Sequence, residues 1–361
     1  NPENSRITAA SFGRGVWQSD LAEFNVADPS GLTASPVSPT QINLSWTLNA
    51  ANNNVLIATS PTTLFGVPVE GTAYTAGNSL PGGGTVIYVG NLTNFSHTGL
   101  SDGADYCYKI WSVNGSNQYS AGLTPVCSST FFNWTGNVDT DWFNPGNWGT
   151  NQVPTFYENA YIPAGRPNYP LINAAGAVCN NLTIESGASL SMDGSSSYTL
   201  DVGGDWTNDG TFNRGVGTVH FSGNNALQTI KGTSTTDFYI LKVTKSVTTN
   251  ILDVVSPITL NALVDAPLTL VSGTFRLSNA STNITAIRAN GTLPDIALGN
   301  NKRIWITAGT LNILPIWRLN QGELKVSGGT VNIGTADNVY LDYLNNAKVI
   351  LESGQLKIGR A

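Results

Sequence analysis

Charge is scarce in this sequence. Only 11% of its 361 residues are Asp, Glu, Lys or Arg, less than half of the roughly 25% usual in soluble domains. Asn, Ser, Thr and Gly fill the polar positions instead, so amides and hydroxyls hold the surface in water. The formal net charge is −6 with no basic cluster, which excludes the electrostatic footprint of a nucleic-acid partner or an anionic membrane surface. Low charge beside a 40% apolar content also excludes disorder, which needs the opposite balance. Histidine is nearly absent: His97 and His220 leave almost no material for a Ser-His-Asp triad or a histidine-rich metal centre. Three Cys and one Met are too few for a disulfide-dense small scaffold. No apolar run approaches the eighteen or so residues of a membrane helix, so no membrane insertion is expected. The opening "NPENSRITAA" has neither an initiating Met nor a basic leader, and the close "VILESGQLKIGRA" stops on strand-like residues; the expectation is a fragment of a longer protein.

Helical periodicity is missing too. Short alternating stretches such as "QINLSW", "YCYKIWSV", "GTVHFSG" and "AKVILESGQLKI" recur between Gly, Asn and Asp, and period-two alternation means half-buried strands. The chain is expected to be all-β and long enough for two or three domains. Residues 1–26 hold one strand-like stretch, "RITAASFGRGVWQSDL", with no partner nearby in sequence. Residues 27–129 carry strands at sandwich spacing. From 130 to 361 a different unit repeats, a Gly followed by two apolar residues at alternate positions: "ESGASLSM" at Glu185, "VSGTFRL" at Val271, "TAGTLNI" at Thr307, "NQGELKV" at Asn320, "SGGTVNI" at Ser327 and "ESGQLKI" at Glu352. Glycine corners followed by an apolar pair predict a solenoid whose short strands stack into parallel sheets. Leu311, Ile313, Leu324, Val326, Val331, Ile333, Leu356 and Ile358 are the expected inward column. The fold class is therefore a sandwich followed by a parallel β-helix.

The middle segment resembles a fibronectin type III domain. "PSGLTA" and "QINLSW" look like its first two strands with Trp46 inward, and "GLSDGADYCYKIWSV" looks like the entry to its sixth, with Leu100 and Tyr106 at the tyrosine corner. That resemblance places Tyr106, Tyr108 and Ile110 toward the core, Cys107 away from it and Cys127 on the neighbouring strand. A Cys107–Cys127 disulfide follows, the alternative being two buried thiols, and a bridge favours an oxidising, extracellular or cell-surface setting. Cys179 is left as a buried apolar residue.

The stretch "FFNWTGNVDTDWFNPGNWGTNQVP" sets Trp134, Trp142 and Trp148 close together. An open solenoid end needs covering, so residues 131–163 are expected to be an aromatic cap; the rival expectation is a surface on which a polysaccharide stacks its sugar rings. Asn137, Asp139 and Asp141 alternate oxygen ligands as calcium loops do, without the glycine and distal Glu of the EF-hand; turn-forming carboxylates are the alternative, and otherwise no cofactor is expected. With "GDWTNDGTF" and "GTVHFSG...QTIKG", this stretch resembles the β-helical repeats of secreted surface adhesins of Bacteroidota exported by the type IX system. Those proteins are modular and mostly non-catalytic. "ITAASFGRGVW" resembles the closing strand of their propellers. As an alternative, Ile7, Ala9, Phe12, Val16 and Trp17 would form a strand donated to another copy.

Parallel β-helices also host polysaccharide lyases and pectin hydrolases. Their hydrolase motifs N-T-D, D-D, G-H-G and R-I-K do not occur here, and the acids are scattered through turns. The expectation is a non-enzymatic structural or adhesive protein, a solenoid spacer that meets other surface proteins or further copies of itself. The alternatives are a filament subunit joined by strand donation and a carbohydrate-binding or carbohydrate-degrading β-helix.

Overall fold

The computed structural model describes residues 6–11, 15–20, 26–261, 266–287, 297–314, 317–334 and 341–359. Its contacts divide into two units, with the solenoid in the second. Strands β1 (Arg6–Ser11) and β2 (Gly15–Asp20) pair with each other, antiparallel, from Arg6↔Asp20 to Ser11↔Gly15. This corrects the expectation of one lone strand.

The sandwich is built from β3 (Ser30–Ser38), β4 (Gln41–Thr47), β5 (Asn54–Ser60), β6 (Thr85–Gly90), β7 (Asn94–Thr98), β8 (Asp105–Val113) and β9 (Val126–Ser129). One sheet has the order β3-β4-β7 and the other β6-β5-β8-β9. Three strands facing four, with the pairs antiparallel, is the fibronectin type III arrangement. Alternation on β4 turns Ile42, Leu44 and Trp46 inward, where they meet Val55, Ile57, Tyr108 and Ile110. Strand β5 is buried on both faces. Its other side, Leu56 and Ala58, packs with Trp111, Val113 and Tyr119 under Phe65, Tyr74 and Leu80 of the long β5–β6 connection. A strand covered twice has no polar face to show, hence the unbroken run "VLIA".

From Phe131 onward the strands are parallel. In the longest sheet, Phe132 pairs with Ala160, and the register then passes through Leu182, Trp206, Ile230, Val254, Leu277, Ile306, Val326 and Leu351. Leu182, Trp206, Ile230 and Val254 stand twenty-four residues apart, one coil each. A second sheet stacks Cys179, Val202, Phe221, Val243 and Leu270. One continuous core runs from Phe132 to Ala347. The expected column is present as Leu311–Val331–Leu356, Ile313–Ile333–Ile358 and the Leu324–Val326 strand beside them. It is buried as far as Ile333, whereas Leu351 and Ile358 on the final described strand are about half exposed.

The glycine of the repeat earns its place in the corners. Gly309, Gly329 and Gly354 have φ between 67° and 82°, a region that L side chains rarely adopt. They also stack, since a Cβ on Gly329 would lie 2.5 Å from the Gly309 carbonyl oxygen. In "NQGELKV" the left-handed position belongs to Gln321 rather than Gly322; Gly322 is needed because a Cβ there would meet the Leu298 carbonyl at 2.3 Å.

Candidate functional site

The three tryptophans of the 131–154 stretch come together, facing inward. Trp134, Trp142 and Trp148 are 0%, 0% and 1% exposed. Trp148 meets Trp134 edge-on at 5.1 Å and Trp142 at 4.9 Å, the geometry that ring quadrupoles favour. The Trp148 indole N–H donates to the Trp142 carbonyl and that of Trp134 to the Asn168 carbonyl. No ring face is free, so the expected sugar-stacking surface at these three residues is overturned. The reason is packing: the three rings join the continuous apolar core of the solenoid.

Asn147, fully buried at the end of a 3-10 turn over Pro145–Asn147, organises that turn. Its Oδ1 accepts the Val138 and Asp139 N–H groups, and its Nδ2 donates to Asp139 Oδ1 at 2.6 Å and to the Asp141 carbonyl at 2.9 Å. Asp139 also accepts from Asp141 N and Asn144 Nδ2. These bonds, that of Asn147 first, hold its carboxyl below the usual carboxylate range. Asp141 accepts from Phe143 N, and Asn137 is exposed. The carboxylates expected as calcium ligands thus close turns on their own chain. Among the described residues no cluster of three or more His, Cys, Asp or Glu could hold a metal.

Cys107 on β8 and Cys127 on β9 are bonded, with their Cα atoms 4.0 Å apart. Cys179 is a buried free thiol, and burial, with the charge of Asp201 second, pushes its pKa up. Of the residues expected in a donated strand, Ile7 pairs with Ser19, Ala9 with Trp17 and Val16 with Ala10 inside the hairpin; Phe12 lies outside the described residues. No helix among the described residues is long and apolar enough to cross a membrane.

The coil register assembles polar groups that linear motifs did not reveal. Asp201, His220 and Thr244 stand in line on one outer face. His220 Nδ1 is 2.5 Å from Asp201 Oδ1 and its Nε2 is 2.9 Å from Thr244 Oγ1. A carboxylate orienting an imidazole against a hydroxyl is the order of a general-base relay. Clefts of about 310 and 210 Å³ lie elsewhere, one among Thr33, Asn43 and Ser96 and the other among Asn301, Arg303 and Glu323. A second file runs through Asp253, Arg276, Trp305 and Lys325 in register. Arg276 pairs with Asp253 at 2.6 Å and lies over the Trp305 ring at 5.0 Å, with Lys325 over the same ring at 4.9 Å. The signal for both files was spacing: residues about one coil apart become neighbours.

A family model described as a domain of unknown function, DUF8693, matches residues 133–237, the tryptophan turn and the coils after it. No curated protein matches the chain. Among solved structures, FN3tt is 17% identical with a TM-score of 0.21, over 28% of this chain and 91% of its own. A Fn3-like protein from Clostridium thermocellum is 22% identical with a TM-score of 0.22, over 29% and 92%. The FN5 domain of Drosophila Lar is 15% identical with a TM-score of 0.20, over 28% and 92%. The strand order of the sandwich carries its assignment, independently of these likenesses.

Proposed function

We propose that this chain is a non-catalytic extracellular spacer, a modular piece of a surface adhesin of the kind secreted by Bacteroidota. The observation that carries this reading is the unbroken inward register from Phe132 to Val326. Each coil gains main-chain hydrogen bonds and buried apolar area from its neighbours, so the structure invests in stiffness. The disulfide supports an oxidising compartment. The partners are then other surface proteins, and polysaccharide contact would fall on exposed rings such as Tyr157, 82% exposed, rather than on the three buried tryptophans. Strand donation between copies has less support, because β1 and β2 already pair with each other rather than standing alone. Electron microscopy of the full chain across a concentration series, with and without residues 1–26, tests the spacer directly. Single unassociated particles in both samples are expected; fibres that vanish with the deletion would replace the spacer by a filament subunit.

One observation favours an enzyme, the Asp201–His220–Thr244 line. Under the spacer reading it is a polar ladder on the solenoid face. A panel of polysaccharide and ester substrates should show no turnover, and turnover lost in His220→Ala would establish the relay as catalytic.

A further inference from the structure

Among the described residues the one buried cation of the solenoid lacks the carboxylate partner that five less buried cations have. Arg214, Lys231, Arg276, Arg303 and Lys325, with side chains 21–47% exposed, each pair with a carboxylate. Lys245 is 2% exposed. Its Nζ donates to the Gly223 carbonyl at 2.8 Å and contacts Gln228 Oε1, both neutral, and among the described residues no carboxylate pairs with it. Isolating an ammonium this way is costly unless the charge is removed.

The surroundings are built for this contact. Gln228 is 0% exposed, and its Nε2 donates to the carbonyls of Val202, at 3.0 Å, and Gly204, which fixes the carboxamide with its carbonyl end toward Lys245. The Lys245 backbone is pinned by Ser272, whose hydroxyl donates to the Lys245 carbonyl at 2.6 Å. Gly273 makes room for the lysine stem: a Cβ there would lie 2.4 Å from Lys245 Cβ.

We propose that Lys245 and Gln228 are the two halves of an intramolecular isopeptide cross-link, a modification site inside the solenoid core. In the reaction, neutral Nζ attacks Cδ of Gln228, forming the Nζ–Cδ bond. The Cδ–Nε2 bond breaks, one Nζ proton passes to Nε2, and ammonia leaves; nothing is oxidised or reduced. Burial lowers the Lys245 pKa to about 8, against the opposing charge of Asp205, so an appreciable fraction of the amine is neutral and nucleophilic near neutral pH. The product replaces a buried charge with a secondary amide whose N–H can keep the Gly223 carbonyl.

The test is the intact mass of the reduced, folded full chain, followed by tryptic mapping; folding is checked by resistance of Cys179 to alkylation. The expected result is a chain lighter than its sequence by one ammonia. Trypsin should not cut after Lys245, and one branched peptide should join the Lys245 and Gln228 segments. Lys245→Arg and Gln228→Leu should each restore the full mass. Full mass with tryptic cleavage after Lys245 would overturn the proposal. Loss of ammonia mapped to Asn114–Gly115 or Asn290–Gly291, where chain succinimides form, would overturn it equally.

Discussion

In the sandwich, burial joins residues distant in sequence; in the solenoid, each coil is buried by the coil before and the coil after. Strand β5 meets β8 through pairs such as Ser60↔Cys107, and the sandwich then adds a disulfide between β8 and β9. The solenoid has no bridge, and its one cysteine among the described residues, Cys179, is buried and free. A domain of about one hundred residues divided into two small cores gains most from a covalent staple. A stack of coils gains from repetition, and its weak point is wherever the repeat is interrupted or begins.

The contrast breaks most sharply at Trp206. It is fully buried in the register ladder, with Phe212 at 4.9 Å and Phe238 at 5.5 Å. Trp206→Ala should cost the solenoid about 3–5 kcal/mol, as large-to-small core changes do, and leave the sandwich transition where it was; denaturant titration followed by circular dichroism resolves the two. The reverse experiment removes the staple. Cys107→Ala with Cys127→Ala should destabilise the sandwich by about 3 kcal/mol on chain-entropy grounds, and leave Cys179 as resistant to alkylation as before. A smaller effect is expected at the start of the solenoid. Asn147→Ala removes the buried side chain whose four hydrogen bonds close the turn and should cost roughly 1–3 kcal/mol, with hydrogen exchange rising first between residues 134 and 148. The smallest effect comes from acid. Hydrogen bonds hold the Asp139 carboxyl below the usual carboxylate range, so its contribution is present above that range and is lost as pH falls through the lower, folded value. Asp139→Asn should blunt the acid-induced change in tryptophan fluorescence of the 134–148 turn.

The sequence made the two regions legible to different depths. "QINLSW" announced its own inward face, and Ile42, Leu44 and Trp46 follow it. The glycine corners announced the solenoid, because a left-handed backbone recurring before an apolar pair has few other uses. The tryptophan stretch was legible as aromatic but ambiguous in direction: whether a ring faces sugar or core depends on Asn147, whose four hydrogen bonds no linear pattern displays. The lone strand proved to be two paired strands, a division that a continuous β-forming composition does not display. The Asp201–His220–Thr244 and Lys245–Gln228 contacts were hidden for a geometric reason. They join residues 17 to 24 positions apart, and coil lengths become known only once the corners are placed.

The twenty-four-residue interval between Leu182, Trp206, Ile230 and Val254 has a genealogical meaning. A tandem duplication or loss of one such interval leaves every corner above and below in phase, whereas a gain of half an interval would turn the next ladder of apolar residues toward water. Descendants of this gene can therefore change in length by counting, one coil at a time. Reach becomes a trait that recombination can adjust without redesigning a single contact type.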